Sequence, residues 1–286
     1  MKKLILILIL ALINLTIVYA ADCGGYDLCE CGDTLVESHY FYYSLDDCPG
    51  HGIIIGADDL TLECYQASFS YIDGDQTTSN YGIYNSGYDN FQLINCTIKE
   101  FNRGVLIENA ENNIIRNNVI EDSTNSGIRI RYSDEIFIEE NLLTNNGLGM
   151  TYWGTGGMNI LDNEISYNGD QGIGNGWDDE NDFSYKTING NNIHHNTGAG
   201  ISTGSDNLTV IGNHIHNNGA SGLNPIYSVN ILVENNIVHD NGYTGINANS
   251  IGEGIISGNE VYENDIGILL NEPLLPVQVD NNNWNY

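Results

Sequence analysis

This sequence predicts an all-β fold, a single-stranded right-handed parallel β-helix, and three observations lead there. The first is a repeat: Gly82, Gly104, Gly127, Gly149, Gly172, Gly200, Gly222, Gly245 and Gly267 each open a copy of one unit. Their spacing is 22 or 23 residues, with a single gap of 28, and a fixed period in this range marks a repeat architecture. The second is alternation inside each copy. Gly127-Ile128-Arg129-Ile130-Arg131 puts apolar and polar side chains on opposite faces of a strand. The third is that three short strands fit in one repeat, as at 127–131, at 134–138 and from Asn141 onward, while no window holds helical spacing for three turns. One such coil cannot bury its apolar face alone, but coils stacked about 4.8 Å apart can, so nine of them make a rod on the order of 45 Å long.

An asparagine stands before the third strand of the repeat, at Asn118, Asn141, Asn163, Asn191, Asn213, Asn235 and Asn259. Asparagine tolerates the left-handed backbone of a sharp bend, and its amide can bond the asparagine of the next coil. A structural ladder is therefore expected. Cys96 holds that place in the first coil.

Met1-Lys2-Lys3 followed by an apolar run over 4–18 and Val18-Tyr19-Ala20 reads as a secretion signal over residues 1–20. The run is short for a membrane span, Asp22 before Cys23 argues against lipid attachment, and no later stretch is apolar enough to span. Residues 21–81 then form an irregular cysteine-containing cap with the first coils. Residues 82–286 carry the regular repeats, closed by Trp284 and Tyr286. All six cysteines, Cys23, Cys29, Cys31, Cys48, Cys64 and Cys96, fall in the first third. An even count in an exported chain points to disulfides of open connectivity. Cys29-x-Cys31 is too tight for an ordinary zinc knuckle.

Eight Lys and Arg face 38 Asp and Glu, for a formal charge of −30. Nucleic acid and anionic membrane are thereby excluded as partners of the surface as a whole. An acidic coat serves solubility or the binding of divalent cations. Four residues after the repeat glycine stand Ser86, Glu108, Arg131, Trp153 and Gly176, and two after it stands Arg129. Columns of a coil repeat place Glu108, Arg131 and Trp153 in sequence along one face. With Trp177 they make a candidate saccharide surface, the alternative being a Glu108–Arg131 surface pair with an arginine–tryptophan stack. The lengthened coil crowds carboxylates near Trp177. Asp178, Glu180 and Asp182 have the alternate spacing that lets oxygens converge on Ca²⁺, or they form a solvated acidic loop.

His194, His195, His214, His216 and His239 cluster on consecutive coils. His194 and His216 share a column three residues after their ladder asparagines. Counted the same way from Asn235 and Asn259, its next members are Val238 and Tyr262. Imidazoles so placed can take a transition metal or simply stack.

The phrases Cys31-Gly32-Asp33-Thr34, Leu45-Asp46-Asp47-Cys48-Pro49-Gly50, Gly52-Ile53-Ile54-Ile55-Gly56 and Leu60-Thr61-Leu62-Glu63-Cys64, running on to Ile72-Asp73-Gly74, resemble the N-terminal coils of exported right-handed β-helix proteins of the NosD-type and pectate-lyase-like groups. The Asn-Gly-His of that pattern is replaced here by residues 65–71. The resemblance covers nearly the whole chain after residue 20. It implies the β-helix, a saccharide cleft on the first-strand face and, from the NosD side, copper at the histidines. Such families hold lyases, epimerases, hydrolases and non-catalytic surface proteins, so fold does not settle activity. The function expected is non-catalytic binding of an extracellular or cell-surface polysaccharide. The alternatives are a polysaccharide lyase or epimerase, and a passive surface rod. A hydrolase needs two carboxylates flanking one bond, and the column offers only Glu108.

Overall fold

The computed structural model describes residues 21–65, 70–76, 79–175, 185–271, 273 and 276–285, with strands, turns and bends but no helix among them. Three parallel sheets run its length. The first has 12 strands, from Asp22–Cys23 to Ile266–Asn271, and the second 11, from His39–Phe41 to Val277–Asp280. The third has 11, from Leu45–Cys48 to Asn283–Asn285. Each coil gives one strand to each sheet, as Ser126–Arg131, Ile136–Glu139 and Leu142–Thr144 do. Each strand pairs in parallel with its counterparts one coil away, so Val105 faces Ile128 and Ile128 faces Met150. This is the right-handed parallel β-helix.

Inward side chains stack into one core. Val105, Ile107, Ile115 and Ile120 of one coil lie on Ile128, Ile130, Ile138 and Leu143 of the next, all fully buried. Lys186 breaks the pattern. It takes an inward place between Met158 and Leu208 and is 1% exposed. Its Nζ donates to Thr155 O and Ser205 Oγ, both at 3.2 Å, and lies 5.3 Å from the Tyr152 ring centroid. The charge is held by protein oxygens instead of water.

The repeat glycine has a steric cause. A Cβ on Gly104 would lie 2.4 Å from Ile120 Cγ2 and 2.6 Å from the Gly127 carbonyl oxygen. Here one coil's backbone rests on the next, and only glycine fits. Both Gly104 and Val105 are buried, so strict alternation slips by one residue at each coil's start.

The asparagine ladder runs through Asn118, Asn141, Asn163, Asn191, Asn213, Asn236, Asn259 and Asn282. At each step the backbone N–H and side-chain amide of one asparagine donate to the Oδ1 of the next. For Asn141 onto Asn163 the distances are 2.9 and 3.0 Å, and for Asn213 onto Asn236 they are 2.9 and 3.0 Å. Asn235 is therefore not a rung, and this corrects the sequence reading. It sits at φ 54°, in a column of left-handed bend residues with Asn117 (56°), Glu140 (54°), Asp162 (53°), Gly212 (65°) and Gly258 (65°). Bend and ladder are separate jobs on adjacent residues. In the doublet Asn235-Asn236 asparagine does both, which hides the phase.

A second ladder, absent from the sequence reading, runs through Asn146, Asn168, Asn196, Asn218, Asn241 and Asn264. Its signal was an asparagine three or four residues before each repeat glycine from Gly149 onward. The two ladders bracket the third-sheet strands from Leu142–Thr144 to Glu260–Tyr262.

At the N-terminal end the disulfides are Cys23–Cys29, Cys31–Cys48 and Cys64–Cys96, and no described cysteine is free. The Cys96 N–H donates to Asn118 Oδ1 at 2.9 Å, so the last disulfide anchors the head of the ladder. At the other end Asn283–Asn285 pairs with Glu260–Tyr262, setting Trp284 opposite Val261. Tyr286, the expected signal over 1–20, and Trp177, Asp178, Glu180 and Asp182 lie outside the described residues.

Candidate functional site

The outer face of the first sheet brings together Glu108, Arg129, Arg131 and Trp153. Glu108 is in register with Arg131, and Arg131 with Trp153. Arg131 Nη2 forms an ion pair with Glu108 Oε2. Arg129, in register with Thr151, leans diagonally, so its guanidinium carbon lies 3.9 Å from the Trp153 ring centroid, against 5.4 Å for Arg131. Leu106, between Tyr84 and Arg129 in its column, also faces outward yet is 1% exposed. It is the floor of the patch.

Arg103, Tyr81, Tyr84 and His51 belong to the same face and were not read from the sequence as site residues. The Arg103 guanidinium lies 5.9 Å from the Tyr81 ring centroid, and His51, Tyr81 and Tyr84 stack mutually at 5.1 to 5.2 Å. The residue before the repeat glycine would point inward under strict alternation. The slip at the glycine turns it outward and adds Arg103 to the two foreseen arginines.

Arg129 differs from Arg131 in its partners. Among the described residues it makes no ion pair or hydrogen bond, and its guanidinium lies over the Trp153 face. Burial, then repulsion from Arg103 and Arg131, lowers its pKa to about 10. It stays protonated at neutral pH as a half-buried cation that Glu108 offsets only in part. Burial likewise lowers the pKa of Arg103, with a smaller contribution from Arg131.

Five buried polar atoms on this face have no hydrogen-bond partner among the described residues: Nε of Arg103, Arg129 and Arg131, and Oδ1 of Asn224 and Asn247. Buried polar groups are normally satisfied, so such a row marks where a polar ligand would lie. Between the arginines and Asn224 the column is small and polar, Thr151, Gly174 and Ser202. Beyond Glu108 and Arg131 the turns open a cleft of about 480 Å³ lined by Asn109, Tyr132, Asp89, Glu111 and Asp134. Two of these carboxylates already cap backbone: Asp89 Oδ1 accepts from Glu111 N at 2.7 Å and Asp134 Oδ1 from Glu135 N at 2.9 Å.

The histidines form a second cluster, on the outer face of the third sheet. His194, His216, His239 and Tyr262 share one column. The third member is His239 and not Val238, which points into the core. This second correction has the same origin as the first, because counting from Asn236 instead of Asn235 reaches His239. Ring centroids along the column are 4.9, 5.1 and 4.7 Å apart, and the planes lie within 13°. His214, on the neighbouring column, places Nε2 2.7 Å from His239 Nε2.

A family model described as "Periplasmic copper-binding protein (NosD)" matches residues 32–184, and one described as "Right handed beta helix region" matches residues 180–284. Among solved structures, a mutant of the periplasmic alginate epimerase AlgG superposes with a TM-score of 0.73 at 15% identity, over 90% of this chain and 72% of that one. The A-module of the Azotobacter vinelandii mannuronan C-5 epimerase AlgE6 gives 0.68 at 14% identity, over 93% and 79%. The Dettilon tailspike protein gives 0.66 at 16% identity, over 81% of this chain and 48% of that one. At such identities the likeness is one of fold. No curated protein sequence is significantly similar to the chain.

Among the described residues copper would find nitrogen donors here and no sulfur. Met150 and Met158 are buried in the core, the described cysteines are paired, and His214, His216 and His239 hold ligand atoms within 4.8 Å of one another. Imidazole nitrogen suits copper, so this donor set fits the ion. No described helix is long and apolar enough to cross a membrane. With the NosD model spanning more than half of its residues, the chain belongs to the NosD family of right-handed β-helix proteins.

Proposed function

We propose that the chain binds an anionic extracellular or periplasmic polysaccharide along the outer face of its first sheet, between Tyr81 and Asn247. The observation that carries this reading is Arg129, a half-buried guanidinium without a carboxylate partner among the described residues, seated on an indole. A uronate supplies what the site lacks: a carboxylate for the bidentate fork of Arg129 and a C–H face for the rings of Trp153 and Tyr84. Further hydroxyls of the polymer reach Asn224 and Asn247. The alginate-acting neighbours of the same fold make alginate a sensible first probe.

An epimerase or lyase reading draws on His51 and Tyr84, stacked at 5.1 Å on the same face. Removal of a proton next to a carboxylate needs a base with a free lone pair. His51 Nδ1 accepts the Tyr81 N–H at 3.2 Å, which leaves the proton on Nε2, and burial lowers its pKa. That arrangement makes His51 a hydrogen-bond donor to sugar and favours binding over catalysis.

Calorimetry of the purified chain with alginate and polygalacturonate tests the proposal. Saturable binding that Arg129→Ala weakens at least tenfold is expected. Absorbance at 235 nm reports a lyase, and deuterium exchange at C5 in D₂O reports an epimerase. No binding of either polymer at millimolar uronate sinks the proposal.

A further inference from the structure

Two stretches carry the Asn-x-Thr pattern on which N-linked glycans are built, Asn95-Cys96-Thr97 and Asn207-Leu208-Thr209. The pattern alone is common, but the structure separates its two copies. Asn95 donates its side-chain amide to Glu63 Oε1 at 3.3 Å. Cys96 is fully buried in its disulfide with Cys64. Thr97 is 8% exposed and lies between Tyr71 and Val119 of the neighbouring coils. A transferase reads the threonine hydroxyl together with the asparagine, and at this copy the hydroxyl is shut in.

The second copy is placed otherwise. Asn207 occupies the bend that leads into the strand Leu208–Ile211, at φ 53°, and is half-exposed. Leu208 points into the core, which turns Thr209 to the outer face of the second sheet, where it too is half-exposed. Asn230 donates its side-chain amide to Asn207 Oδ1 at 2.7 Å and so ties the asparagine to the next coil.

Both residues stand at the edge of a groove of about 640 Å³. Its floor follows one outward column, from Thr209 to Leu232, Ile255 and Gln278. Three strand spacings make that column about 14 Å long. Ile255 is 40% exposed, and Tyr185, at the other end, is 74% exposed. Among the described lining residues only Glu253 is charged, on a chain whose formal charge is −30. A groove with an apolar floor on so acidic a protein calls for a cover, and Asn207 stands where a cover could be attached.

We propose that Asn207 is a site of N-glycosylation and that the innermost sugars of its glycan lie in this groove. The donor class is an oligosaccharide carried on a lipid phosphate or pyrophosphate. Asn207 Nδ2 forms a bond to the anomeric carbon, the bond from that carbon to the phosphate oxygen breaks, and the lipid phosphate leaves as Nδ2 loses a proton. The C–H faces of the sugars then rest on Leu232 and Ile255, and their hydroxyls meet the amides of Asn230 and Gln278. The site lies on the second sheet and the arginine face on the first, so the two proposals stand or fall separately.

The test incubates the full folded chain, disulfides intact, with a lipid-linked oligosaccharide and an oligosaccharyltransferase that reads Asn-x-Thr. The reduced, unfolded chain is treated in parallel. Release of the glycan by peptide-N-glycosidase in heavy-oxygen water marks each occupied asparagine for mass spectrometry. The folded chain should be occupied at Asn207 at least tenfold more than at Asn95, and the unfolded chain at both. Thr209→Ala should abolish the modification and Thr209→Ser should keep it. The glycosylated chain should melt several degrees above the unmodified one, and Leu232→Ser with Ile255→Ser should remove at least half of that gain. No glycan at Asn207 of the folded chain, where the unfolded chain takes one, overturns the site, as does equal occupancy of Asn95. An equal gain in the Leu232→Ser/Ile255→Ser variant overturns the seating of the glycan in the groove.

Discussion

The guanidinium of Arg129 lies 3.9 Å from the centre of the Trp153 ring, although Trp153 is in register with Arg131 and not with Arg129. The cause is Glu108. It draws Arg131 back along the column into an ion pair and leaves the indole to the neighbouring arginine. Two arginines that look equivalent in the sequence therefore have different uses, one neutralised and one open.

Binding should show that difference. Arg129→Ala is expected to lower affinity for a polyuronate tenfold to a hundredfold, or about 1.4–2.7 kcal/mol, while Arg131→Ala costs less than threefold. Added salt should erode the Arg129 contribution more than that of Trp153, which is mainly dispersion and stacking. Equal losses for the two arginines in calorimetry would contradict the partition.

The ladder makes a sharper demand on one doublet. Asn236→Ala removes the acceptor for the Asn213 N–H and amide, both buried, and should destabilise the rod by about 1–3 kcal/mol. Asn235→Gly, at φ 54°, should be neutral or nearly so, because Gly212 and Gly258 already fill the same bend one coil away on either side. Thermal melts of the two variants decide it, and the reverse order would place the ladder on Asn235.

Glycine at the coil junction is a packing requirement. Gly104→Ala pushes a methyl against Ile120 and the Gly127 carbonyl and should cost about 1–3 kcal/mol. Gly50→Ala, with nothing within 4 Å of the added carbon, serves as the control and should melt like the parent.

Stability should fall on mild acidification. His39, His51, His194 and His214 are all held below the ordinary 6.5, chiefly by burial. For His194 the nearby Glu164 opposes the shift without outweighing it. A depressed folded pKa means that the unfolded chain takes up protons first. The contribution is therefore complete above pH 6.5 and is lost as the pH drops through the folded values. Melting temperature should decline between pH 7 and 5, and His51→Asn with His214→Asn should flatten that slope.

What the sequence by itself determined is whatever depends on local periodicity. The glycine spacing set the coil, alternation chose the inward isoleucines, and column counting put Glu108, Arg131 and Trp153 on one face. The even cysteine count indicated disulfides. What only the tertiary structure decided is the phase between coils. Asn235 and Asn236 are equally good asparagines, and only hydrogen bonds to Asn213 and Asn259, each 23 residues away, select the second. That single step moved the third column histidine from Val238 to His239, because a shift of one residue along a strand exchanges its faces. The outward turn of Arg103 arose in the same way, from a glycine whose close approach to the next coil interrupts the alternation. Contacts between coils set phase, and a pattern read along one coil does not contain them.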